Sequence, residues 1–303
     1  MSEVKPREDR TRTGVLLMVL AVAFFTCIDS SAKLLIIAGL PALQVVFARY
    51  TGHFLVAVLL FGLRDPSAFR SHAPFKQLLR SLFLLGSTVL NFSALQFLPI
   101  TVTTTIMFAG PIAITLLAIP LLGEKVGLRR IVAVCCGFAG VLVVMQPWGA
   151  DFHPAMFLSL GALVCAAFYF ILTRMLSDVE ANATQQLWSS GVAALCLMPF
   201  VLQGWTWPSG WAWVPFVLIG CFGATGHIAA TAGHRLADAS ILAPVVYVQI
   251  FMAAFAGWAL FDTLPTVWTL GGGAIIIASG LYVAYREAVA RGLSRAAARA
   301  AES

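Results

Sequence analysis

The sequence predicts an all-α polytopic membrane protein, with ten transmembrane helices arranged as two inverted five-helix repeats. Three observations predict it. The 303 residues are 60% hydrophobic and only 11% charged, with a mean hydropathy of +0.91, whereas a soluble domain carries about 25% charged residues. The apolar residues run on through long uncharged windows instead of alternating. The basic residues gather in every second connection between those windows. A core in water cannot absorb this much apolar surface, so lipid must cover it. In lipid only helices and closed barrels satisfy every backbone polar group, and continuous apolar runs exclude barrel strands.

About 20 apolar residues cross roughly 30 Å of hydrocarbon. On that measure spans are expected over 13–37, 41–63, 75–97, 100–122, 127–147, 153–175, 183–204, 211–233, 239–261 and 265–285. The first follows a basic stretch (Lys5, Arg7, Arg10, Arg12), and Ala21-Val22-Ala23 looks like a signal-peptide cleavage site. Glu3, Glu8 and Asp9 dilute that basic stretch, however, and the apolar run continues past Ala23, so an uncleaved first helix is expected. The uncharged stretch 181–234 is too long for one crossing. Turn formers and interfacial tryptophans, from Gly204 and Trp205 through Trp207, Pro208 and Gly210, divide it. The uncharged stretch 81–123 is divided at Leu98-Pro99.

Lys and Arg favour the cytoplasmic side of short connections. The N-terminal segment, 64–80, 123–130, the regions of 174 and 235, and the C-terminal tail hold 17 of the 19 basic residues, Arg80 and Lys125 among them. The opposite connections hold none, only Asp151 and Asp262. Both termini are therefore expected in the cytoplasm and the chain in a bacterial-type inner membrane. The formal charge of +6 then reports topology and attraction to anionic lipid, and no nucleic-acid partner is expected. Arg291, Arg295 and Arg299 sit four apart in the tail and suit a solvated or lipid-facing anchor.

The halves register on each other. At a shift of 138, Ala94-Leu95-Gln96-Phe97-Leu98 falls on Ala232-Gly233-His234-Arg235-Leu236, and Gly123-Glu124 on Phe261-Asp262. Ala23-Phe24-Phe25 meets Ala167-Phe168-Tyr169 at a shift of 144. The expected organisation is a cytoplasmic segment 1–12, a first repeat 13–147, a second repeat 153–285 and a basic tail 286–303. Five helices per unit turn the second copy upside down, and inverted repeats are an architecture of alternating-access transport.

With Lys33 late in the first span, Arg49 early in the second, Gly123-Glu124 after the fourth and glycine-rich fifth and tenth spans (Gly137, Gly140; Gly271, Gly272, Gly273, Gly280), the chain resembles the drug/metabolite transporter superfamily in its ten-helix EamA-type branch. The resemblance covers residues 13–286. It implies export of small metabolites through a central cavity, amino acids with aromatic or other apolar side chains foremost, with multidrug or lipophilic-cation export as the alternative. A membrane-embedded enzyme is a weaker reading, since the sequence lacks HExxH, GxSxG and P-loop patterns. Neither a cofactor nor a metal site is expected. The six cysteines form no CxxC pair and read as packing residues. The partners are a small-molecule substrate and the bilayer, with monomer and homodimer both open.

Charge inside the bilayer usually faces a cavity or a partner. Asp29 and Lys33 are four apart on the first span and can pair, and Arg49 can share Asp29. These three form either a gate or carboxylate site, or a static ion pair. His53, one turn beyond Arg49, can bind substrate, carry a proton or bond a neighbouring helix. His227 lies deep in the eighth span. Ser87 and Asn91 share a face of the third span. Tyr169, Trp188, Tyr247 and Gln249 form a polar-aromatic set for the second half of the cavity. Pro111 removes a backbone bond near the middle of the fourth span and predicts a hinge there.

Overall fold

The computed structural model describes residues 7–122, 128–149, 152–176, 179–237 and 239–301. Lys5, Gly123-Glu124, Lys125 and Asp151 lie outside the described residues, as do the side chains of Arg291, Arg295 and Arg299. The described residues form twelve α-helices and no strand. They are α1 (Arg7–Ile37), α2 (Ala42–Ala57, extended by a π-helical turn Val58–Gly62), α3 (Pro74–Leu95), α4 (Ile100–Met107), α5 (Gly110–Leu122), α6 (Leu128–Met145), α7 (Met156–Met175), α8 (Asn182–Val201), α9 (Trp213–Leu236), α10 (Ala239–Val246), α11 (Gln249–Phe261) and α12 (Val267–Ala301).

Ten passages result, because α4 with α5 and α10 with α11 each make up one interrupted passage. Among the described residues eight helical stretches are long and apolar enough to cross a membrane, and 131–145 in α6 is a shorter apolar one. The remaining passage, α8, the seventh in chain order, carries Thr184, Gln185, Gln186, Ser189 and Ser190, and all five are buried. It is polar because it faces the protein interior. Helix α12 runs on without a break to Ala301, so the basic tail continues a helix rather than following one.

The first interruption lies where Pro111 predicts it. Helix α4 ends at Met107, and Pro111 sits in the first turn of α5, where a missing N–H costs little. The second was not foreseen. The ninth passage breaks at Tyr247-Val248, just after Pro244, at nearly the same place in its half. Phe108 and Tyr247, at the two breaks, meet edge to face with ring centroids 5.2 Å apart.

Packing partners exchange between the halves. The first passage packs on the eighth as the sixth packs on the third (α1 with α9, α7 with α3). Helix α2 packs on α9 as α8 packs on α3, while α2 with α8, α4 with α11 and α6 with α12 pair equivalent passages. Two close approaches need glycine. A Cβ on Gly220 would lie 2.5 Å from Gly52 Cα, so α2 and α9 touch backbone to backbone. A Cβ on Gly272 would lie 2.6 Å from the Gly140 carbonyl oxygen, between α12 and α6. Such small-residue contacts let helices associate where no hydrophobic force drives them together. Five of the six cysteines, all but the partly buried Cys165, are exposed on the surface of the bundle. They are therefore not packed inside it as the sequence suggests.

Candidate functional site

Helix α2 supplies the centre. Arg49, Tyr50 and His53 are buried, with Arg49 and His53 one turn apart on one face. Arg49 Nη1 donates to Thr88 Oγ1 at 2.7 Å, and Nη2 lies 3.4 Å from His227 Nε2. The guanidinium sits 4.7 Å from the centroid of the Tyr50 ring, and the Tyr50 hydroxyl bonds Thr88 at 2.7 Å and the Leu84 carbonyl at 3.1 Å. The His53 ring stacks on His227 at 5.6 Å, and its Nε2 lies 3.0 Å from Gln186 Oε1. Arg49 Nε and His53 Nδ1 are buried without a partner. Each such atom costs about 1–3 kcal/mol, so the pair asks for an explanation.

Arg80 is a second buried cation, only 3% exposed. The sequence places it among the cytoplasmic basic residues. The structure instead holds it between α3, α7 and α8, because the opening turns of α3 are already packed there. Arg80 Nε donates to Thr173 Oγ1 at 2.7 Å, Nη1 to Ser189 Oγ at 2.6 Å and the Gln185 carbonyl at 3.2 Å, and Nη2 to Tyr169 Oη at 3.0 Å. Its guanidinium also lies over the Tyr169 ring, 4.6 Å from the centroid. Among the described residues neither arginine makes a salt bridge.

The three intramembrane charges do not pair as their spacing suggests. Asp29 Oδ1 accepts from Asn91 Nδ2 at 3.2 Å. Lys33 Nζ turns away to the Leu98 carbonyl at 2.5 Å and lies 5.6 Å from the centroid of the Phe261 ring. A carbonyl at the end of the third passage and an aromatic face at the end of the ninth together replace a carboxylate. Lys33 thus fastens one end of the molecule. At the same end Gln44 bonds the Thr206 backbone twice, at 2.6 and 2.9 Å, and Trp205 packs edge-on against Phe47. The opposite end has its own fastening, where Glu180 accepts from the Ser71 hydroxyl and, at 2.9 Å, from the Ala73 N–H.

Of the other residues singled out by sequence, Ser87 is buried on α3 beside Thr88, and Tyr169 meets the network through Arg80. Trp188 does not join it. Its Nε1 donates to the Phe69 carbonyl at 3.0 Å, in the connection between α2 and α3, because that face of α8 points outward. Tyr247 fills the second interruption, its hydroxyl buried, unpartnered and set into the notch left by Gly280. Gln249 opens α11, partly buried. Sequence reasoning missed Arg80, Tyr50, Thr88, Gln186 and Ser189. The sign was present: Gln77, Arg80, Ser81, Leu84, Ser87, Thr88 and Asn91 recur at helical spacing on α3, and all but Asn91 are buried.

The centre is thus a buried polar cluster drawn from the first, second, third, sixth, seventh and eighth passages. Two buried guanidiniums in it are held by neutral groups, and one of them, Arg49, leaves its Nε without a partner. The comparisons with known proteins point to membrane transporters. The EamA-like transporter family model matches twice, over residues 12–146 and 153–286. The S-adenosylmethionine uptake transporter of Rickettsia prowazekii is 26% identical over 82% of this chain and 84% of its own. The riboflavin transporter of Vibrio cholerae is 28% identical over 89% and 92%, and the pseudopaline exporter CntI of Pseudomonas aeruginosa 24% over 89% and 95%. A solved crystal structure superposes with a TM-score of 0.60 at 21% identity, covering 95% of this chain and 99% of that one, a likeness of fold. With both halves matched and a helical bundle built around a polar centre, the chain is a transporter belonging to the EamA-like family of the drug/metabolite transporter superfamily.

Proposed function

We propose that this transporter is a secondary carrier that moves small carboxylate-bearing metabolites by alternating access, amino acids with aromatic or other apolar side chains being the first candidates. Arg49 carries this reading. The residue is 6% exposed, its guanidinium bonded to neutral groups, with Nε unpartnered and no salt bridge among the described residues. A buried cation at membrane depth that makes no salt bridge is costly and marks a ligand pathway. A carboxylate would remove the imbalance, whereas a lipophilic cation would add to it. The exchanged packing of the two halves supports alternating access, with the Lys33 and Glu180 ends as gates. In this reading both termini lie in the cytoplasm of a bacterial-type inner membrane.

The relatives are named for three different substrates and for both uptake and export, so substrate and direction need measurement. Outward movement follows from the resemblance alone. The test is a metabolite panel in proteoliposomes, loaded or loaded outside, with and without a pH gradient. Wild-type protein should move at least one carboxylate, and Arg49→Ala should lose that flux while keeping its melting temperature. Equal flux in the variant, or flux of cations only, overturns the reading.

A further inference from the structure

Away from the central cluster, α6 and α12 leave a groove of about 540 Å³ between them, apolar along its walls and with a cation at one end. We propose that this groove is a binding site for one acyl chain of an anionic phospholipid, whose phosphate rests on Arg129 at the basic end of the bundle. The site does not depend on Arg49 being a substrate contact. Only the naming of its leaflet as cytoplasmic rests on the orientation proposed above.

The groove follows from how the two helices meet. They run antiparallel. Gly140 lies against Gly272, and nearer the start of α6 the Ser279 hydroxyl donates to the Ala133 carbonyl. Small residues at these points draw the backbones together, and Ala133 and Ser279, both buried, become the floor. Larger neighbours stand as walls: Leu128 and Val132 on α6, Ile275 and Tyr282 on α12, all exposed. Beyond them the helices close up, since a Cβ on Gly140 would lie 3.0 Å from Ile275 Cγ2 and one on Gly272 2.6 Å from the Gly140 carbonyl oxygen. On α6 the lining runs from Leu128 to Cys136, about 12 Å at 1.5 Å per residue. One leaflet offers about 15 Å of hydrocarbon. The groove thus has the length of a lipid chain lying along the membrane normal within a single leaflet.

The open end carries the charge. Arg129, exposed, lines it, and Arg286, one turn beyond Tyr282, falls on the same face of α12. Tyr282 and Tyr285, both exposed, set aromatic rings at that depth, as expected where hydrocarbon gives way to headgroups. The segments leading to this end hold Lys125, Arg129, Arg130 and Arg286 against Glu124 and Glu287, and basic residues just beyond a span attract anionic lipid. A phosphate diester complements them. A zwitterionic headgroup brings a cation of its own toward Arg129. A second copy packed groove on groove about a two-fold axis would present the same patch, and so a second Arg129 at the same depth, which opposes that contact. Because α6 and α12 are equivalent passages of the two halves, a lipid held between them fastens one half to the other.

The experiment uses the full chain, purified in detergent and stripped of lipid, in about 0.15 M salt, which screens charges beyond roughly 8 Å. It is titrated with dioleoylphosphatidylglycerol and with dioleoylphosphatidylcholine, which carry the same chains. Melting temperature reads stabilisation, and native mass spectrometry counts retained lipids. One phosphatidylglycerol per chain should be retained, and it should half-stabilise at about fivefold lower concentration than phosphatidylcholine, the worth of roughly one basic residue at a membrane surface. Arg129→Gln should bring that ratio close to one and leave phosphatidylcholine unaffected. Arg64→Gln, at an exposed basic residue of another connection, should keep the ratio. Ala278→Phe, at an exposed position lining the groove, should melt as wild type without lipid yet lose the retained phosphatidylglycerol. Equal stabilisation by the two lipids overturns the proposal. So does an equal loss in Arg129→Gln and Arg64→Gln, which reduces the preference to general charge attraction. A dimer that Ala278→Phe splits gives the groove to a second copy and overturns it too. Solute flux is a separate readout, so failure of the carboxylate reading leaves this site standing, and the reverse.

Discussion

Arg49 and Arg80 are the same residue type, both buried, and lie on adjacent helices of one polar cluster, yet the surroundings give them opposite duties. Arg80 spends its donors on three hydroxyls and a carbonyl from α7 and α8 and lies over an aromatic face. Four of its five N–H donors are committed. Arg49 has one good bond, one long contact and an idle Nε. A buried cation with most of its donors taken ties elements together; one with most of them idle waits for a partner. Burial does not distinguish the two, but the accounting of donors does.

The sharpest way to break this comparison is to remove each guanidinium in turn. Arg80→Ala deletes bonds to two helices and leaves a cavity. It should cost about 3–5 kcal/mol, read as a fall in melting temperature in detergent, and transport should fall with it. Arg49→Lys keeps the charge and discards the Nε donor and the planar fork. It should melt within a few degrees of wild type while transport drops at least about tenfold. If Arg80→Ala is stable but silent in transport, Arg80 belongs to the binding site and the division of duties collapses.

The same contrast explains what could be read beforehand. Arg49 lies deep in an apolar run and announces itself by the cost of burying charge. Arg80 lies six residues after Pro74, close enough to a basic connection to be counted with it, and only the polar stripe from Gln77 to Asn91 separates it from its neighbours. The ten passages and the break near Pro111 follow from run lengths and backbone chemistry, which act locally. The break at Tyr247-Val248 follows Pro244 by three residues, and there Tyr247 meets Phe108 across the bundle. The Asp29–Lys33 pair has ideal spacing on a helix, but a free carbonyl at Leu98 and the Phe261 ring outbid it through tertiary contact. Spacing states which atoms can meet along one helix, and it is silent about what a neighbouring helix offers.

A smaller effect should come from the α2 and α9 crossing. Gly220→Ala sets a methyl against the Gly52 backbone, where the built Cβ already lies 2.5 Å from Cα. The helices must separate by a few tenths of an ångström or more, at about 1–3 kcal/mol. If the cluster around Arg49 opens by parting these helices, this variant should bind substrate faster while melting lower, as measured by stopped-flow fluorescence and thermal denaturation. A lower melting point with unchanged or slower binding would place the opening elsewhere.

The smallest effect belongs to Trp188, which the sequence groups with the cavity and the structure sets on an outward face. Its indole N–H bonds the Phe69 carbonyl in the connection after α2, so Trp188→Phe removes one neutral bond at a partly exposed site, worth about 0.5–1.5 kcal/mol. Melting should fall slightly, and the substrate profile in the proteoliposome panel should not move. Tyr169, grouped with it by the same reasoning, touches Arg80 through its hydroxyl and its ring. Tyr169→Phe keeps the ring and leaves one Arg80 donor unmet, so it should lower the melting temperature more than Trp188→Phe does. Should Trp188→Phe alter which solutes are carried, the outward face of α8 would have to turn inward during the cycle, and the polar face now buried would then be only one of two that the substrate meets.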